Sequence, residues 1–129
     1  MTAARQVVGI SILVMCLATI TLGHHSQTQF DLNQTVTLEG TLTEIRWTNP
    51  HAFFYLDGRI SDGKNASLQS WGIEGPGPRG LENVGWSRDT AKVGDRVVVT
   101  GHPRKDGKAQ LIVLSITLPD GKKIAIRPE

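Results

Sequence analysis

Four histidines carry most of the chemistry this chain could offer: the adjacent pair His24 and His25, and the single residues His51 and His102. A histidine at a newly cut N-terminus presents an α-amine, with a pKa of about 8, and an imidazole nitrogen on the same residue. Both can bind one cation, and copper(II) heads the affinity order for nitrogen donors, ahead of nickel and zinc. His24, His25, His51 and His102 are therefore the candidate metal ligands, with copper the favoured ion. The plain alternative for the pair is a solvated stretch near a chain end, because termini are commonly unfastened. For His51 and His102 the alternative is a strand-end side chain bonded to nearby backbone.

A second constellation is aromatic. Trp47, Trp71 and Trp86 could stack on sugar faces, with Glu74 near Trp71 as a polar group in the pocket and Asn49 and Arg104 at its mouth. The alternative is that tryptophans at strand and helix ends supply core. For catalysis the inventory is poor. Glu39, Glu44, Asp57 and Glu74 show no acid/base spacing, and there is no Gly-x-Ser-x-Gly elbow, no His-Glu-x-x-His and no phosphate loop. Gly75-Pro76-Gly77-Pro78 is glycine-rich, but its prolines remove the backbone donors that an anion cradle needs. The residues point to a binding protein rather than an enzyme.

Whether His24 is ever an N-terminus depends on what precedes it. Residues 7–22 form an apolar run with one cationic side chain, Arg5, ahead of it. The run is short for a membrane-spanning helix of about 20 residues and slightly long for a secretory core of about 7–15. Thr21 and Gly23 are small enough for signal peptidase to cut after Gly23. The expectation is a cleavable signal peptide over 1–23, an N-terminal lead-in over 24–33 and one domain over 34–129. The mature protein would be periplasmic or secreted, with no stable membrane span after processing; an uncleaved anchor is the alternative. A cut one residue earlier would place His25 third, where amine, imidazole and two amide nitrogens can chelate copper in a plane. Cys16 is the single cysteine and falls in the leader. The mature chain then has no disulfide, thiolate zinc site or cysteine nucleophile. With Arg5 removed, the 14 Lys and Arg and 12 Asp and Glu leave a charge of about +1. No basic stripe stands out, so nucleic acid is not an expected partner; a small ligand or a metal ion is.

The elements that must position these residues are strands. Val36, Leu38 and Leu42 share one parity against Thr35, Thr37, Glu39 and Thr41, the mark of a half-buried strand. Near Glu44 the parity flips to Ile45 and Trp47, which predicts a bulge in a coiled or closed sheet. Thr48-Asn49-Pro50 ends that strand. A second strand is expected over 51–60, with Phe54 and Leu56 on one face and a further bulge at Asp57-Gly58. A third is expected over 66–74, carrying Leu68 and Trp71. A short helix over 79–86 would bury Leu81, Val84 and Trp86. A fourth strand follows over 96–101, a hairpin loop over 102–108, and a fifth strand over 109–118 with Ile112, Leu114, Ile116 and Leu118 on one face. A short sixth lies around 124–126, and Phe30 should anchor the lead-in. Strand, strand, strand, helix, strand, strand is the order of an OB-like Greek-key β-barrel, so the fold class is all-β. A small β-sandwich or open barrel is the alternative. In an OB-like barrel, the loops holding Asn49 and His51 and beginning at His102 flank one mouth. The first strand would begin at the opposite end from His51, so a tail bearing His24 would have to fold back.

His24-His25-Ser26, Phe30-Asp31, Val36-Thr37-Leu38-Glu39-Gly40 and Trp47-Thr48-Asn49-Pro50-His51 together resemble a family of small exported bacterial proteins catalogued as a domain of unknown function. Trp71 with Glu74, Gly85-Trp86, Gly94-Asp95 and His102-Pro103 continue the likeness. The resemblance implies export and one small β domain, and it implies no activity.

Overall fold

The computed structural model describes residues 27–61, 63 and 66–127; the apolar leader, His24 and His25 lie outside the described residues. Strand β1 (Val36–Arg46) follows from its alternation, with Val36, Leu38 and Leu42 buried and the threonines between them facing away. Between Leu42 and Glu44 its register against β2 (Phe53–Ile60) slips, so Thr43 is a bulge and the inward parity passes to Ile45. That is the expected kink. It lets one long strand serve two neighbours: β2, and β4 (Arg96–Pro103), which pairs antiparallel from Val36–Gly101 to Thr41–Arg96.

The rest of the barrel builds from these pairs. β3 (Gln69–Glu74) runs antiparallel to β2, and β5 (Gln110–Thr117) antiparallel to β4. Parallel pairing of β3 with β5, from Gly72–Gln110 to Glu74–Ile112, closes the cylinder. β6 (Lys123–Ala125) pairs with Ser115 to Thr117, continuing the β5 edge beyond the end of β3. The result is a closed five-stranded mixed β-barrel with one short helix, α1 (Pro78–Asn83), between β3 and β4, as the element order predicts.

Six residues are too few for a helix that stands alone, so α1 depends on packing. Proline begins it, where the missing N–H costs nothing, and Leu81 is its buried contact. Trp86 donates its backbone N–H to Leu81 O at 2.9 Å and lies against Phe54 of β2, ring centroids 4.6 Å apart. Helix and barrel interior thus share one core with Leu38, Leu56, Trp71, Ile73 and Val99.

Several local expectations are corrected. The helix ends at Asn83 and Val84 is exposed. Leu68 is 64 % exposed and precedes β3 rather than lying in it. No bulge occurs at Asp57-Gly58, where the register is unbroken from Leu38–Ile60 to Leu42–Leu56. Gly58 instead faces Gly40 at a close approach: a methyl on Gly40 would stand 2.5 Å from Asp57 O. β4 runs on through His102 and Pro103, so His102 sits in a strand and not in the hairpin loop. On β5 the register slips opposite Thr100 and Gly101, leaving Leu114 as an extra residue. The core face therefore reads Leu111 and Val113, then Ile116 and Leu118, while Ile112 and Leu114 are buried outside that cluster. A strand covered on both faces shows no alternation to read.

Candidate functional site

One rung of the barrel carries Phe53, Glu74, Ile112 and His102 side by side on β2, β3, β5 and β4. Directly opposed residues share a sheet face. Ile73 and Leu111, one position back, belong to the core, so this rung faces away from the barrel interior. Glu74 is nevertheless only 5 % exposed. Its Oε1 accepts a hydrogen bond of 2.5 Å from His51 Nδ1, and the His51 side chain keeps 30 % of its surface exposed.

The loop holding His51 is tied down on both sides. Thr48 Oγ1 donates to His51 O at 2.9 Å. Ala52 N–H donates to Pro76 O at 3.1 Å, and Gly75 N–H to Ala52 O at 2.9 Å, which zips the loop to the link between β3 and α1. Gly77 lies so close to Pro50 that a methyl there would stand 2.6 Å from its carbonyl oxygen. The ring of His51 is thus held over Glu74 by backbone as well as by its own hydrogen bond.

Across the rung, His102 Nδ1 donates to Gln34 O at 2.7 Å. A carbonyl only accepts, so the proton is on Nδ1 and the lone pair on Nε2. Two residues on, Arg104 forks onto Asp106, Nε to Oδ1 at 2.9 Å and Nη2 to Oδ2 at 2.6 Å. Its Nη1 donates to Gln29 Oε1 at 2.5 Å and Gln110 Oε1 at 3.2 Å. That hydrogen-bonded fork holds the Asp106 carboxyl well below the usual carboxylate range and raises Arg104. Burial lowers the Arg127 guanidinium from its ordinary value, with the charge of Glu74 opposing the shift.

The lead-in arrives here. Phe30 forms an antiparallel bridge with Arg104, Asp31 N–H donates to Pro103 O at 2.8 Å, and Lys105 N–H to Gln29 O at 2.9 Å. Phe30 itself is 1 % exposed. β1 does begin away from the His51 loop, but the segment before it, Gln27–Gln29 and Phe30, is fastened to the turn between β4 and β5.

Of the expected site residues, Glu74 and His102 share one outward rung two strands apart, His51 is bonded to Glu74 and Arg104 follows His102 by two residues, while His24 and His25 lie outside the described residues. Asn49 is exposed in the His51 loop, and Trp47 is half-buried against the core. Trp71 and Trp86 are core residues, so the three tryptophans share no exposed face. Glu74 does not share a pocket with Trp71: three positions along a strand put the two on opposite faces, which could have been counted from the sequence. Trp71 Nε1 is buried with no hydrogen-bond partner among the described residues. Gln29, Gln110 and Arg127 were not singled out, and no local pattern marks them. A cleft of about 380 Å³ lined by Glu39, Asp57, Arg59 and Arg96, among others, lies over β1 and β2, and none of the expected site residues lines it. Among the described residues, no three His, Cys, Asp or Glu side chains are grouped to hold a metal ion.

The model of a family of unknown function (DUF6152) matches residues 11–113. No curated protein and no solved structure matches the chain.

Proposed function

The chain belongs to that family of unknown function, and on this premise we propose that it is an exported binding protein that captures copper(II) at its processed N-terminus. Removal of residues 1–23 frees the α-amine of His24 beside its own imidazole, and two nitrogens on one residue chelate a single cation. A further imidazole, from His25 or from the barrel, completes a three-nitrogen site. The observation that carries this reading is the anchorage of the lead-in: Gln29 and Phe30 are bonded to Lys105 and Arg104. That leaves His24 three residues ahead of Gln27, the first residue of the anchored turn, about 10 Å when extended at ~3.3 Å per residue. The tether starts beside the rung that carries Glu74 and His102. With no three-residue cluster among the described residues, a metal site here must draw on groups beyond them. The alternative of a glycan-stacking face loses two of its three rings to the core.

The ligands must be unprotonated, so affinity should fall as pH drops below about 6. The test is copper(II) calorimetry and electron paramagnetic resonance on protein processed in a bacterial periplasm, compared with the same chain carrying an added N-terminal Met. The extension should weaken binding and change the spectrum. Equal affinities and identical spectra would end the terminal-amine reading.

A further inference from the structure

We propose that the cleft over β1 and β2 binds a free α-amino acid with an apolar side chain. Three strands bring its charged walls together. Asp57, Thr41 and Arg96 lie in one cross-strand row on β2, β1 and β4, and Arg59 and Glu39 lie in the next. These positions alternate with the buried Leu38, Leu42 and Leu56, so both rows point outward. Leu68 closes the side toward β3, and Gly40 forms part of the floor. Gly40 faces Gly58, and a methyl on it would stand 2.5 Å from Asp57 O. The two strands therefore close up here, and the outer face of the sheet is dented. The hollow holds about 380 Å³, within the range of about 300–1,000 Å³ usual for small-molecule sites.

The charges choose the ligand. Among the described residues, Asp57, Arg59 and Arg96 form no ion pair, although Arg59 directly opposes Glu39. Glu39 accepts a hydrogen bond from Ser61 Oγ instead, at 3.0 Å. Two guanidiniums and two carboxylates thus line one hollow with no net charge. A phosphate there is repelled by Glu39 and Asp57, and a metal ion or polyamine by Arg59 and Arg96. A zwitterion satisfies both signs. Asp57 and Arg96 stand two strand spacings apart, about 10 Å, on either side of Thr41. The ligand's carboxylate pairs with the planar, permanently charged fork of Arg96, and its ammonium donates to Asp57. The Thr41 hydroxyl offers a further hydrogen bond between them. Leu68, 64 % exposed, gives an apolar side chain its contact. The cleft shares no residue with the copper reading, so either can fail without the other.

The experiment titrates the protein, purified from a periplasm and freed of metal by a chelator, with leucine while amide chemical shifts are followed. Exposed ion pairs are individually weak, so a dissociation constant on the order of 1 mM is expected. The Gly40, Thr41 and Asp57 amides should shift most. N-acetyl-leucine lacks the ammonium and leucinamide the carboxylate, and each should bind at least about threefold more weakly. Glycine, with no side chain to meet Leu68, should weaken by a similar factor. Arg96→Gln should abolish the preference for leucine over leucinamide, and Asp57→Asn the preference over N-acetyl-leucine. Each variant is first checked for the wild-type circular dichroism spectrum; should one not fold, the other decides together with the ligand series. Absence of shifts at about 50 mM leucine, far above a constant of ~1 mM, overturns the site. Equal binding of leucine and its two blocked forms overturns the zwitterion. Tighter binding of leucyl-leucine than of leucine overturns the assignment to a free amino acid.

Discussion

Arg104 shows how one side chain can tie a turn, a lead-in and a barrel together. Its guanidinium reaches Asp106, Gln29 and Gln110, while its backbone bridges to Phe30. The folded Asp106 carboxyl lies below its usual range, chiefly through the hydrogen bonds from Arg104. A group shifted that way adds stability that is complete above its unfolded pKa of about 3.9 and is lost as pH falls through the folded value. Asp106→Asn should therefore lower the thermal midpoint near neutral pH, and the gap from wild type should close only at pH below about 4. Salt at about 1 M should narrow the gap too, because Asp106 is 42 % exposed. A gap of equal size at neutral and strongly acid pH would exclude the charge as its source.

At the scale of elements, β1 is bent by one residue and crowded by another strand. The bulge at Thr43 lets the inward parity change, and Gly40 facing Gly58 lets β1 and β2 close up before it. A methyl on Gly58 would stand 2.7 Å from Leu56 Cδ1 and closer still to Glu39 O, so the backbone must move to admit it. Gly58→Ala should cost about 1–3 kcal/mol, the usual range for overpacking, read as a lower urea midpoint with an unchanged slope. A loss under about 0.5 kcal/mol, the size of an ordinary surface change, would mean the strands are not this close in solution.

The whole molecule closes through contacts that no single element contains. β3 meets β5 over the three positions Gly72 to Glu74, and the lead-in meets the turn between β4 and β5 through Phe30. Phe30 is buried outside the barrel core cluster, as are Ile112 and Leu114. Phe30→Ala should cost about 3 kcal/mol in a urea melt, near the low end for a buried phenylalanine. Hydrogen exchange should quicken most at the Asp31 and Lys105 amides, whose acceptors are Pro103 O and Gln29 O. A cost under about 1 kcal/mol would mean that the lead-in opens apart from the barrel.

The alternation of residues 34–47 determined β1 and its bulge, because counting parity needs only one strand. Glycine and proline punctuation determined the element order, and with it the barrel class and the helix between the third and fourth strands. Counting failed at β5, where both faces are covered, and at Gly58, where a glycine marks close approach and bulge alike. The site was half legible. The histidines announced themselves by type, and the loop that carries His51 by its turn residues, whereas His102 proved to lie in β4. Only closure of the barrel decided that His51 meets Glu74, a residue 23 positions away, and that Gln29 meets Arg104, 75 positions away. Such pairings depend on which strands become neighbours and in what register, and that is settled by the packing of the whole core rather than by any local run of residues.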